Sequence, residues 1–188
     1  IAVLVTILAT LALGVEIGVL AGIGVSIALH LHKTSRPHIA IVGEVPGTEH
    51  FRNVERHSVI TCPGIVSIRI DESLFFANAS YLESAIYALV AERGNDLKHL
   101  VLQCTAVNEI DLSALEVLES LVERLREQGI ALHLSEVKGP VMDALERSDF
   151  LLHLSGRVFL SQHLAFETLR CELEEATAGD AGTPSPTV

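Results

Sequence analysis

Basic residues are scarce in this 188-residue chain: 13 Lys and Arg stand against 24 Asp and Glu, and none of the 13 precedes Lys33. A net charge of −11 and a pI near 5.2 argue against a general nucleic-acid binder, whose affinity comes mainly from cations on phosphate. Cysteine is scarce too. Cys62, Cys104 and Cys171 form an odd set without paired ligand spacing, which suggests neither a disulfide scaffold nor a zinc module and fits a reducing compartment. The nine histidines contain no HExxH pattern, and there is no Gly-rich phosphate loop and no GxSxG elbow. His99, His133 and His153 lie in or beside apolar runs, as satisfied strand or edge histidines do, and Cys104 falls at the end of an apolar strand where a thiol is inert. No enzyme, no cofactor and no metal site is expected.

What is abundant is apolar, at 49% hydrophobic residues and a mean hydropathy of +0.43, and it is unevenly spread. Residues 1–32 carry one carboxylate, Glu16, and otherwise only Thr6, Thr10, Ser26, His30 and His32 as polar side chains. This is a membrane segment rather than a cleaved leader, because it has no basic start and no short apolar stretch ending in a small-residue cleavage site. The opening Ile1, with no initiator Met, suggests a fragment or a processed product. As a single straight helix the segment would be about 48 Å long, against a hydrocarbon core of about 30 Å. Two pieces are therefore expected, the end of one span over Ile1 to about Leu13 and a final span from about Gly14 to Leu31.

In the second piece Gly14, Gly18, Gly22 and Ser26 recur every four residues, so small residues line one helix face and let a second helix approach closely. Glu16 has two open readings, a hydrated carboxylate between two spans or a functional group facing a protein interior. Lys33 and Arg36 flank the apolar stretch and predict that everything downstream is cytoplasmic.

Residues 33–56 have the character of a linker, with Pro37, Gly43, Pro46 and Gly47 around the short apolar run Ile39 to Val42. Strand and helix patterns then alternate through 57–176. Strands are expected at Val59 to Thr61, Ile65 to Ile70, Leu100 to Gln103, Ile130 to Leu134 and Val158 to Leu160. Helices are expected at Tyr81 to Arg93, Leu112 to Glu127, about Gly139 to Leu145 and Ser161 to Ala176. The helix from Leu112 is the clearest, with Leu115, Leu118, Leu121, Val122 and Leu125 as its apolar stripe and Glu116, Glu119, Glu123 and Glu127 on the wet side. The order predicts an α/β domain with a mainly parallel central sheet flanked by helices. The Gly-, Pro- and Thr-rich tail 177–188 is expected to be disordered.

One segment stands out, Val101 to Leu115, where a buried strand runs through a polar loop into a helix with Asp111 placed to cap it and Ser113 in its first turn. The run Asp111-Leu112-Ser113-Ala114-Leu115 resembles the helix start of the STAS domain shared by sulfate transporters and anti-sigma factor antagonists. Upstream, Ser35-Arg36-Pro37, Gly43-Glu44-Val45-Pro46-Gly47-Thr48, Phe51-Arg52-Asn53-Val54, Pro63-Gly64-Ile65, Arg69-Ile70-Asp71 and Leu74 to Ala79 are similar to the linker and early STAS strands of the SulP anion permeases.

The resemblance implies the C-terminal part of a secondary-active transporter of small inorganic anions, sulfate or bicarbonate being typical. Such a protein sits in the plasma membrane or bacterial inner membrane with its STAS domain in the cytoplasm, regulating folding, trafficking or gating. Implied partners are an upstream transmembrane domain of the same protein, a second copy in a homodimer and a regulatory protein at the STAS surface. The family's substrate site lies in earlier spans, so no substrate residue is assigned here. Ser113 matches the serine that is phosphorylated in the antagonists, while Leu112 and Ala114 depart from their Ser and Gly. Ser113 thus has two readings, a helix-start hydroxyl or a regulatory switch, and Asp111 reads foremost as an N-cap. The alternative for the whole chain is a membrane-tethered STAS signalling module switched at Ser113. Phe75, Phe76 and Asn78 are expected as core packing and a helix entry.

Overall fold

A computed structural model of the chain describes residues 2–180, which divide between Pro37 and His38 into two compact units. The first is a pair of apolar helices, α1 (Ala2–Leu13) and α2 (Val15–Thr34). The break falls at Gly14, whose φ of 95° lies in the left-handed region that glycine enters without a Cβ clash. α2 has 20 residues with a mean hydropathy of 1.6, long and apolar enough to cross a membrane.

The two helices pack through small residues. Gly18 and Gly22 are the buried residues of α2, and a Cβ on Gly18 would sit 2.7 Å from the Cα of Thr10. One on Gly22 would meet the Thr6 side chain, 3.1 Å from its Cβ. Gly18→Val is therefore expected to force α1 and α2 apart and lower the melting temperature of the chain in detergent. Gly24→Val, with open space around it, leaves the melting temperature within error.

The second unit holds a six-stranded sheet in the order β2-β1-β3-β4-β5-β6. β3 (Ile65–Ile70), β4 (His99–Gln103), β5 (Ala131–Ser135) and β6 (Val158–Phe159) run parallel, and β1 (Ile39–Glu44) lies antiparallel to both β3 and β2 (Phe51–Asn53). α3 (Ala79–Arg93), α4 (Leu112–Glu127), α5 (Gly139–Arg147) and the single turn α6 (Phe150–His153) cover one face. α7 (Gln162–Asp180) covers the other through Ala165, Phe166 and Leu169, which pack on Ala40, Val42, Ile65 and Val101. Strand alternation sets this division: Val66, Ile68 and Ile70 point to the four-helix side, whereas Ile65 points to α7. The mixed, mainly parallel sheet flanked by helices is the fold class expected from the alternating pattern.

Two stretches differ from the sequence reading. Residues 39–53, read as linker, form β1 and β2 and extend the sheet by two strands. Ile39 pairs with Ile70, so the apolar run finds its partner far along the chain. Val59 to Thr61, read as a strand, contributes a single bridge from Ile60 to Glu44. The approach is close enough that a Cβ on Gly43 would stand 2.7 Å from the Ile60 carbonyl oxygen. At the other end α7 continues to Asp180 rather than stopping near Ala176, and residues 181–188 of the expected disordered tail lie outside the described residues.

Candidate regulatory face at the start of α4

β4 ends at Gln103, and the chain passes through a polar loop into α4. Asp111 sits at the helix N-cap in extended conformation, and its Oδ1 accepts from the Ala114 backbone N–H at 2.8 Å. Its Oδ2 accepts a second backbone N–H, that of Phe76, at 2.9 Å. Asp111 thus caps α4 and also ties down the loop that enters α3, a long-range role that helix-start statistics alone do not reveal.

The same junction is built from both loops. Leu74 and Ile110 form an isolated parallel bridge, with the Leu74 N–H donating to Glu109 and the Asp111 N–H donating to Leu74. Ser73 Oγ accepts from the Asn108 and Glu109 amides at 3.2 and 3.3 Å. Asn78, fully buried, accepts from the Phe75 amide through Oδ1 and donates to the Ser73 carbonyl through Nδ2. It is the helix entry expected for α3. A small cavity of about 170 Å³ between Ser73, Phe75, Glu109 and Asp111 has a carboxylate-rich wall, which disfavours an anionic ligand.

Phe76 is not core. It is 70% exposed, as is Leu112, while Phe75 is half-buried against its ring edge. Clamping the Phe76 amide to Asp111 fixes the loop with this ring outward. Ser113 is exposed one residue beyond Leu112, leaving an apolar pair and a hydroxyl together at the helix start. The candidate residues of the membrane segment lie elsewhere: Glu16 is exposed in the first turn of α2, Gly14 is the inter-helix joint, Gly18 and Gly22 form the contact with α1, and Ser26 is exposed.

Behind β4 and β5 lies polar structure that no local pattern announces. Gln162, at 1% exposure, accepts from Ser135 Oγ at 2.6 Å and donates to Ser67 Oγ at 2.7 Å, pinning α7 to the sheet. Glu136 takes the left-handed backbone conformation, and its carboxylate accepts from Thr105, Gln103 and the Gln162 amide. His99 and His133 meet with 3.1 Å between Nδ1 and Nε2, the satisfied strand histidines expected. Cys104 is fully buried, and burial pushes its thiol up to about 12, so it is inert at neutral pH.

A model of the STAS domain matches residues 57–165, more than half of the chain. The chain belongs to the STAS domain family. Its β1–β2 hairpin precedes the matched stretch. Its sequence is similar to that of sulfate transporters. It is 36% identical to the probable sulfate transporter 4.2 of Arabidopsis thaliana over 158 residues, 79% of this chain and 23% of that protein. It is 29% identical to the high affinity sulfate transporter 2 of Stylosanthes hamata, over 78% of this chain and 24% of that protein. The chain therefore spans about a quarter of the length of these relatives. In fold, 93% of it superposes on 28% of the murine Slc26a9 anion transporter with a TM-score of 0.79 at 19% identity. The isolated STAS domain of a SulP transporter from Vibrio cholerae matches 65% of it with a TM-score of 0.51 at 19% identity.

Proposed function

We propose that this chain is the C-terminal part of a secondary-active transporter of small inorganic anions, of sulfate or bicarbonate type, and that the unit from His38 onward is its cytoplasmic STAS domain. The observation that carries the reading is order along the chain: an apolar helix pair and then a STAS domain, in a chain of which 79% aligns with a sulfate transporter. Lys33 at the end of α2 and Arg36 just beyond it support a cytoplasmic position for the STAS unit. From His38 onward 11 bases face 23 acids, a net −12, so this unit repels free anions and acts on transport indirectly, through folding, trafficking or gating. An upstream membrane domain of the same protein and a second copy in a homodimer are the partners this reading requires.

Radiolabelled sulfate and bicarbonate uptake by the complete protein in a transport-deficient host tests it. Accumulation of either anion above the empty host is the expected result. No movement of either, under any gradient, by protein that is folded and in the membrane would overturn it.

A second reading rests on the exposed set Phe76, Leu112 and Ser113. In it the STAS domain docks a regulatory protein at the start of α4, and phosphorylation of Ser113 switches the contact. The positive end of the helix favours a phosphate there, and Glu109 and Asp111 oppose a dianion unless it points outward, as exposed Ser113 allows. Ser113→Ala is expected to change stability by less than about 0.5 kcal/mol, because the hydroxyl is exposed on a capped helix. Ser113→Asp is expected to alter regulation of uptake while leaving the melting temperature within error. Identical uptake in all three proteins would remove the switch.

A further inference from the structure

Away from the α4 face, three metal-ligating side chains meet where β1 ends against the first turns of α7. Glu44 is the last residue of β1, and His163 and Glu167 lie four residues apart on α7. One donor atom from each lies within 4.8 Å of the others. We propose that Glu44, His163 and Glu167 bind a divalent first-row transition-metal ion of the Zn²⁺ class.

The chemistry of the set selects that class. One imidazole nitrogen with two carboxylates suits zinc and its neighbours, whereas Ca²⁺ and Mg²⁺ favour all-oxygen shells. Spacing of i and i+4 places His163 and Glu167 on one side of α7, and Glu44 approaches from the sheet, so the three converge from two rigid elements.

Charge points the same way. Glu44 is 7% exposed, and a buried carboxylate needs a compensating partner. His163 Nδ1 lies 2.7 Å from Glu44 Oε1, while Glu167 brings a second carboxylate to the same imidazole. Arg170, one turn further along α7, meets Glu167 at 2.6 Å. Two carboxylates against one imidazole and one shared guanidinium leave a deficit of positive charge that a dication fills. Space is available as well: a cavity of about 280 Å³ lined by Glu44, Gly47, Thr48, Glu49 and His163 opens on the cluster, with room for water ligands. Its Gly47, at φ 74°, turns the β1–β2 hairpin so that Thr48 and Glu49 border the cavity. The competing arrangement is a plain Glu44–His163 ion pair with Glu167 serving Arg170 alone.

Titration calorimetry of Zn²⁺ into the chelator-treated full chain in detergent micelles separates the two. The expected result is one Zn²⁺ per chain, weakened about 100-fold or more by His163→Ala and clearly weakened by Glu167→Gln. The control chain His50→Ala/His57→Ala/Cys171→Ser, altered at exposed positions, binds as the parent does. His163→Ala leaves the buried Glu44 without its imidazole partner, so affinities are compared only for variants whose circular dichroism and melting temperature without metal show a fold. Glu167→Gln, at a side chain about one-third exposed, keeps that pair intact. Substituted Co²⁺ should give d–d bands without a thiolate charge-transfer band. Unchanged affinity in both site variants, loss of binding in the control chain, a thiolate band, or no Zn²⁺ uptake at all would each overturn the site.

Discussion

Replacing Asp111 by Ala is expected to destabilise the unit from His38 onward by about 2–3 kcal/mol, the sum of a lost helix cap near 1 kcal/mol and a second charge-assisted acceptor. One carboxylate serves two backbone donors from separate parts of the chain, Ala114 at 2.8 Å and Phe76 at 2.9 Å. Losing it frees the start of α4 and the entry to α3 together. Asp111→Asn retains one acceptor oxygen and should cost about half as much. Urea denaturation reads both values. Phe76→Ala, by contrast, removes an exposed ring and should cost less than about 0.5 kcal/mol. A cost for Asp111→Ala no larger than that for Phe76→Ala would contradict the double role.

Acidification is expected to destabilise this unit before its carboxylates titrate, because two histidines are held neutral behind the sheet. Burial, then neighbouring His99 and Arg157, lowers His133 to about 4, outweighing the opposing pull of Glu172. His99 is lowered in the same direction, chiefly by burial. The Arg157 backbone N–H donates to His133 Nδ1, so a neutral His133 carries its proton on Nε2 and donates it to His99 Nδ1. Protonating either acceptor nitrogen breaks this relay.

At His133 the unfolded chain takes up its proton as pH falls through about 6.5, and the folded chain resists until about 4, so its contribution to stability is full above that window and is lost downward through it. His99 acts in the same direction. For His133 alone the loss is roughly 2 kcal/mol between pH 6.5 and 5. Asp71 contributes its acid loss lower: burial would raise its carboxyl, but hydrogen bonds from Arg69 and His38 outweigh this and hold it below the usual carboxylate range. Urea midpoints across pH 7 to 5 should fall steeply in the parent and flatten in His133→Leu. A flat profile in the parent would contradict the buried neutral pair.

The parts of this domain that were legible in its sequence are those whose signal is local. Leu115, Leu118, Leu121, Val122 and Leu125 bury the face of α4 that their spacing marks, and Asp111 caps it. Pro63-Gly64 opens β3 through a turn in which Gly64 takes a φ of 87° and the Ile65 amide reaches back to Cys62. β1 was illegible because Ile39 to Val42 is short, bounded by Pro and Gly, and meaningful only beside β3. Phe75 and Phe76 are chemically alike, and the loop contacts that hold them, the Phe75 amide on Asn78 and the Phe76 amide on distant Asp111, do not show in the two side chains. The same holds for Glu44 and His163, 119 residues apart, and for Gln162, which reaches back 95 residues to Ser67. Buried polar partners of this kind are set by how α7 lies across the sheet, and a single sequence carries no record of which elements adjoin.

The central measurement is sulfate and bicarbonate uptake by the complete protein compared with the same protein lacking residues 38–188, at matched abundance in the membrane. A STAS domain that works for its membrane domain predicts that the truncated protein transports less or loses regulation. Uptake and regulation unchanged by the truncation, with both proteins folded and equally abundant, would contradict it.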